Sequence, residues 1–251
     1  MSGSLAREPR RTPLTGSTFI RTLAALDDVP APAAPDAFAQ RLARWLAWTD
    51  AFALSAALGA ASPCADLPDL PGLGGQGALA ADERELARVR VALARTIADA
   101  PAGGAEPRRL GRPLAGAVAP NEMPADFATY RQRYSKCQLA METQIVPLRR
   151  RLRGSLADRS SALARLAELD SMMEQVVGAQ ERTLLAGVGA RLEPTFERLR
   201  ATQDDAAGPP GPWLERFRQE MRTLLLAELD LRLQPVEGLL QACRQSIAAR
   251  P

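Results

Sequence analysis

The chain has 251 residues, enough to bury a sizeable core, and balances 32 Lys and Arg against 29 Asp and Glu for a net charge of +3. That imbalance is too small to imply a nucleic-acid partner by itself. The absence of histidine removes the usual neutral-pH general base, the Ser-His and Cys-His nucleophile pairs and the commonest transition-metal ligand. An aromatic content of 4% leaves a core built from Leu, Ala and Val, which favours helices over strands.

Residues 1–16 read as a disordered basic arm, with Arg7, Arg10, Arg11, Pro9 and Pro13 and no apolar stretch of the kind a secretory signal needs. A short helix is predicted over Ser17 to Leu26, turning Phe19, Ile20, Leu23 and Leu26 inward, and Asp28-Val29-Pro30 ends it. After a Pro/Ala linker, Asp36 is a good N-cap for a helix with Phe38, Leu42, Trp45, Thr49, Phe52 and Ala56 on one face. Trp45 and Trp48 have two readings: the thick end of a bundle core, or a hot spot for a protein partner. The longest uncharged run, Ala51 to Ala65, is shorter than the roughly 20 residues a membrane span needs. A cytoplasmic location is expected.

Residues 62–80 form a Pro/Gly loop. Its Gly72-Leu73-Gly74-Gly75-Gln76-Gly77 run resembles a phosphate-binding loop only in spacing, because no strand precedes it. Asp82 and Glu85 form an acidic variant of a capping box for a helix with Leu86, Val89, Leu93 and Ile97 inward. The N-terminal helical segment therefore covers 17–100. A flexible linker over 101–121 separates it from a long-helix bundle over 122–251.

The long helices carry the clearest pattern. Phe127, Tyr134, Met141 and Leu148 recur every seven residues with Tyr130 and Cys137 interleaved, a coiled-coil-type seam that shifts to Ile145 and Leu152 near Pro147, where a kink is expected. A break is placed at Gly154-Ser155. The second long helix starts near Ser160 with Leu163, Leu166, Leu169, Met173, Val176, Leu184, Val188, Leu192, Phe196 and Leu199 at spacings of three and four. It would run about 50 Å before Pro194 bends or ends it. A Pro/Gly break over 203–212 follows. The last helix places Leu214, Phe217, Met221, Leu224, Leu225, Leu229, Leu233, Val236, Leu240, Cys243 and Ile247 inward, with Pro235 as a second kink, and is expected to pack antiparallel against the other two.

Arg11-Thr12-Pro13-Leu14-Thr15-Gly16-Ser17, Trp45-Leu46-Ala47-Trp48-Thr49-Asp50-Ala51 and Leu166-Ala167-Glu168-Leu169-Asp170 together resemble a family of bacterial proteins known only as a domain of unknown function. The likeness runs over nearly the whole chain and brings no catalytic residue with it. It implies genomic company: such proteins are similar to ones encoded beside a long coiled-coil membrane protein and an OmpA-like, peptidoglycan-binding one. An accessory role at an envelope complex would fit that setting.

Little else points to chemistry. Cys64, Cys137 and Cys243 lie far apart in no metal-ligand spacing, and two of them fall on apolar helical stripes as free thiols. Asp27-Asp28 and Asp204-Asp205 sit beside helix ends and prolines, where acids serve as caps. No catalytic, cofactor or metal site is expected. The remaining feature is Arg149, Arg150, Arg151 and Arg153 at a helix end, read as a solvated cap or as a contact for anions or a partner. The sequence thus predicts an all-α, elongated antiparallel bundle of long kinked helices with a smaller N-terminal helical segment. The expected function is a non-catalytic adaptor or assembly protein with a protein partner; homo-oligomers are compatible with it. The alternative is a nucleic-acid-associated protein that uses the arginine cluster on phosphates.

Overall fold

The computed structural model describes residues 17–26, 55, 75–100, 126–202 and 211–248. The arm expected over 1–16, the helix expected to carry Trp45 and Trp48, and the linker expected over 101–121 lie outside the described residues. Among those described the protein is all-α. The helices are α1 (Thr18–Leu26), α2 (Gly75–Asp99), α3 (Phe127–Ala157), α4 (Ser161–Ala186), α5 (Glu193–Ala201) and α6 (Pro212–Ala248), with a 3-10 turn over Val188–Leu192.

Local chemistry sets the ends. The Asp126 carboxylate accepts a hydrogen bond from the Ala128 N–H at 3.1 Å, and the Ser160 hydroxyl oxygen accepts one from the Leu163 N–H at 3.3 Å. Each satisfies a donor that the first helical turn leaves free. α3 does not break at Gly154-Ser155 as the sequence suggested. It continues to Ala157 with Asp158 as its C-cap, since one glycine in a helix interior costs only about 1 kcal/mol. α2 starts at Gly75, inside the expected loop and ahead of the Asp82 box. Asp82 is turned instead to Ser155 and Arg159 of the α3 end.

Cross-helix pairs fix the directions. Gln138 reaches Leu185 and Arg149 reaches Asp170, so α3 and α4 are antiparallel. Glu83 with Arg244, and the Ala98 carbonyl with Arg222, make α2 antiparallel to α6. Glu85 with Arg151, and Asp82 with Arg159, make it antiparallel to α3 as well. Tyr130 with Arg218, Tyr134 with Glu228 and Arg159 with Cys243 make α3 and α6 parallel. Of the two other long helices, the last is therefore antiparallel only to α4 and not to both as the sequence suggested, because α3 and α4 already run opposite ways. The helix assigned by sequence to a separate N-terminal segment packs in the same core: α2 lies on α3 and α6, and α1 lies on α6.

The seams of α3 and α6 are buried as their spacing requires. Tyr134, Met141, Leu156, Phe217, Met221, Leu225, Leu233 and Val236 are inaccessible to solvent, each such side chain contributing roughly 1.5–3 kcal/mol of transfer free energy. One end is closed by Phe127, Tyr130, Phe196, Trp213 and Phe217, whose rings meet at 5.0–6.0 Å, several of them edge to face.

α4 departs from expectation. The predicted single helix from Ser160 to Leu192 ends at Ala186, and only part of its apolar stripe faces inward. Leu163, Ala167, Gly178 and Leu185 are buried, whereas Met173 is 39% and Leu184 55% exposed. On α1, Ile20 likewise faces out while Phe19 is buried.

Candidate functional site

Three features surround the α3–α4 hairpin. The first is a carboxylate inside the core. Glu228 is fully buried on α6, and four donor groups converge on it. Tyr134 Oη donates at 2.6 Å, Gln138 Nε2 at 3.0 Å, Arg232 Nε at 2.9 Å, and a further Arg232 nitrogen lies at 2.8 Å. Gln138 Nε2 also donates to the Leu185 carbonyl at 2.7 Å, which ties the α4 end into the same network. A buried charge persists only when paired and hydrogen-bonded, and this one is. Burial, then the Glu228 charge, pushes the Tyr134 phenol above its ordinary range. The same two causes raise the Cys137 thiol to about 11. Both groups are thus held protonated at neutral pH. Sequence reading missed this site, although an acid in the apolar stripe of Met221, Leu225 and Leu229 with an arginine four residues on was a visible signal.

The second feature is the arginine cluster. Arg149 grips Asp170 with two hydrogen bonds, at 2.8 and 2.7 Å. Arg153 pairs with Glu174 and lies 3.5 Å from Asp170. Arg151 pairs with Glu85 of α2 at 3.1 Å. Burial alone would lower the Arg149 pKa, but the hydrogen bond and charge of Asp170, with Glu174 and Glu181, raise it instead. Bidentate pairs of this kind join the polar inner faces of α3 and α4. Of the four residues, three bind carboxylates of the same chain, and Arg150 is exposed.

The third feature follows from the second. Because Asp170 and Glu174 occupy the inner side of α4, its apolar stripe of Leu166, Leu169, Met173, Val176 and Leu184 lies about a quarter turn round the helix. Leu166, Leu169 and Val176 are half-buried, and Met173 and Leu184 are exposed. A stripe at this spacing is the pattern by which one amphipathic helix receives another.

Among the described residues no group of three or more His, Cys, Asp or Glu could hold a metal ion, and no helix is long and apolar enough to cross a membrane. Trp45, Trp48 and Cys64 lie outside the described residues. A family model described as "Protein of unknown function (DUF3348)" matches residues 5–245 of the chain. No curated protein and no solved structure matches it.

Proposed function

The chain belongs to the DUF3348 family, and on that premise we propose that it is a non-catalytic helical adaptor or assembly protein that takes a helix of another protein against the outward stripe of α4. The observation that carries this reading is the exposure of Met173 and Leu184 on a helix whose inward side is already filled by Leu163, Ala167 and Leu185 and the paired Asp170 and Glu174. Burying large apolar side chains on a partner lowers the free energy, and their three-and-four spacing suits a helix more than a strand or a loop. From Leu166 to Leu184 the stripe is about 27 Å long, the length of a partner helix of roughly 18 residues. The partner is thus an amphipathic or coiled-coil helix. A coiled-coil protein of the cell envelope is the first to try, given the genomic company of the family this sequence resembles.

The nucleic-acid reading has less support, because Arg149, Arg151 and Arg153 already hold carboxylates. Releasing them for phosphate would leave Asp170 and Glu174 half-buried without partners. The test is purification of the tagged protein from its native host after mild cross-linking, with and without nuclease, beside a Met173→Asp variant. Companions that survive nuclease and disappear with Met173→Asp are expected. Companions that disappear with nuclease and survive Met173→Asp would replace the adaptor reading with the nucleic-acid one.

A further inference from the structure

We infer that the opposite side of the α3–α4 hairpin docks a second copy of this chain, the two hairpins closing face to face into a four-helix bundle held by reciprocal Glu142–Arg182 and Arg150–Glu168 pairs. An open groove of about 770 Å³ runs between α3 and α4 on this side, and all four charged residues line it. Unlike Arg149, Arg153, Asp170 and Glu174 beneath them, these four form no ion pair among the described residues. Two are acids and two are arginines, and each helix carries one of each.

Their order along the groove decides the occupant. The contacts of Gln138 with Leu185 and of Arg149 with Asp170 set the register of the hairpin. Glu142 and Arg182 therefore stand near one end, and Arg150 and Glu168 near the other. A two-fold axis along the groove lays α3 of one copy on α4 of the other, antiparallel and with levels preserved. Each acid then meets an arginine of the second copy at both ends. Interfaces between identical chains are commonly of this self-complementary kind, and two hairpins closing on each other give a standard four-helix bundle.

Between these charges the groove is lined by Val146, Ser171 and Gln175, with Glu174 already paired to Arg153. Val146 is half-buried, Ala157 and Ala164 line the groove beyond Arg150 and Glu168 towards the hairpin turn, and Leu139 of α3 is 65% exposed. α4 has 26 residues and is therefore about 39 Å long. With two helices side by side, each copy contributes about 700 Å², close to the roughly 800 Å² per partner of a stable interface. The docking uses a different face from the α4 stripe, so a dimer would present two such stripes.

Sedimentation velocity of the full chain at micromolar concentration is the test. The expected species has twice the 27.0 kDa monomer mass. Glu142→Arg with Glu168→Arg makes the four facing charges all basic, and Arg150→Glu with Arg182→Glu makes them all acidic. Each variant alone is expected to sediment as a monomer, with association weakened at least 100-fold, and an equimolar mixture of the two to recover a 1:1 dimer. Arg88→Glu, on an exposed face of α2, is expected to leave the dimer intact. Should reversal unfold the chain by circular dichroism, the milder Arg150→Gln and Glu168→Gln variants carry the same test. A wild-type monomer, or a dimer indifferent to these substitutions, would overturn the inference. Either result would leave the α4 adaptor reading to stand or fall on its own capture experiment.

Discussion

Tyr134 of α3 donates its phenolic hydrogen to Glu228 of α6 at 2.6 Å, across the interface of the two parallel helices at the centre of the molecule. The contact joins two residues 94 positions apart. It makes the core specific in a way apolar packing would not, because sliding either helix by one turn takes Tyr134 and Gln138 away from the buried carboxylate and leaves it to Arg232 alone.

The Glu228 network is expected to be asymmetric to mutation. Tyr134→Phe removes one neutral donor and should cost about 1–3 kcal/mol. Arg232→Met leaves the carboxylate buried with neutral donors alone and should cost about 3–5 kcal/mol. Chemical denaturation of the three proteins checks the order. Equal, small losses would mean that Glu228 is not held as a charge in the core.

The arginine cluster should divide in two. Arg149→Gln strips a half-buried Asp170 of its bidentate partner and is expected to lower stability by about 1–3 kcal/mol. Arg150→Gln, at a position exposed in the single chain, should change the stability of the monomer, measured at high dilution, by less than about 0.5 kcal/mol. Thermal melts of both variants separate a structural ladder from a solvated helix end. If the two melted alike, the ladder would contribute nothing.

The two methionines on the long helices should also behave oppositely. Met141 is fully buried, so Met141→Asp places a charge in the core and should cost more than about 4 kcal/mol or prevent folding. Met173→Asp, on the outward stripe, should leave the melting temperature within a degree or two and act only on partner capture. A Met173→Asp chain that unfolds would show that the stripe is needed for the fold itself.

Alkaline pH should loosen the core. Cys137 and Tyr134 both have folded pKa values raised above their unfolded ones, so the folded state holds these protons more tightly. The stability that Cys137 contributes is complete below about pH 9 and is lost as pH rises towards 11, while that of Tyr134 is lost only at higher pH. For Cys137 the loss is on the order of 2–3 kcal/mol. Urea midpoints at pH 8, 9.5 and 10.5 should fall, and Cys137→Val should flatten the fall. A midpoint constant over this range would contradict the buried, protonated thiol.

What the sequence revealed depended on whether inward meant apolar. For α3 and α6 it did, and every residue named on the α3 seam, together with nearly all of those on α6, is buried. For α4 it did not. Asp170 and Glu174 point inward because Arg149 and Arg153 neutralise them, and pairing between helices is invisible to periodicity. The apolar stripe was found correctly, and its Leu163, Val188, Leu192, Phe196 and Leu199 are buried as expected, but Met173 and Leu184 within α4 face outward. α2 was read correctly at Val89, Leu93 and Ile97 but assigned to a separate segment, since composition over 101–121 looks like a boundary and says nothing of where the chain returns. The site at Glu228 escaped notice because a single acid in a stripe of leucines is read as a flaw in the pattern until its partners are seen.

The most direct test of the adaptor account is photo-crosslinking from single positions in the native host. A photoreactive side chain is placed at 173 on the α4 stripe and, as control, at 88 on the exposed face of α2. The account predicts one major adduct from 173, mapped by mass spectrometry to an amphipathic helix of another protein and absent from 88. The same adducts from both positions, or none from 173, would contradict the claim that α4 is a docking helix.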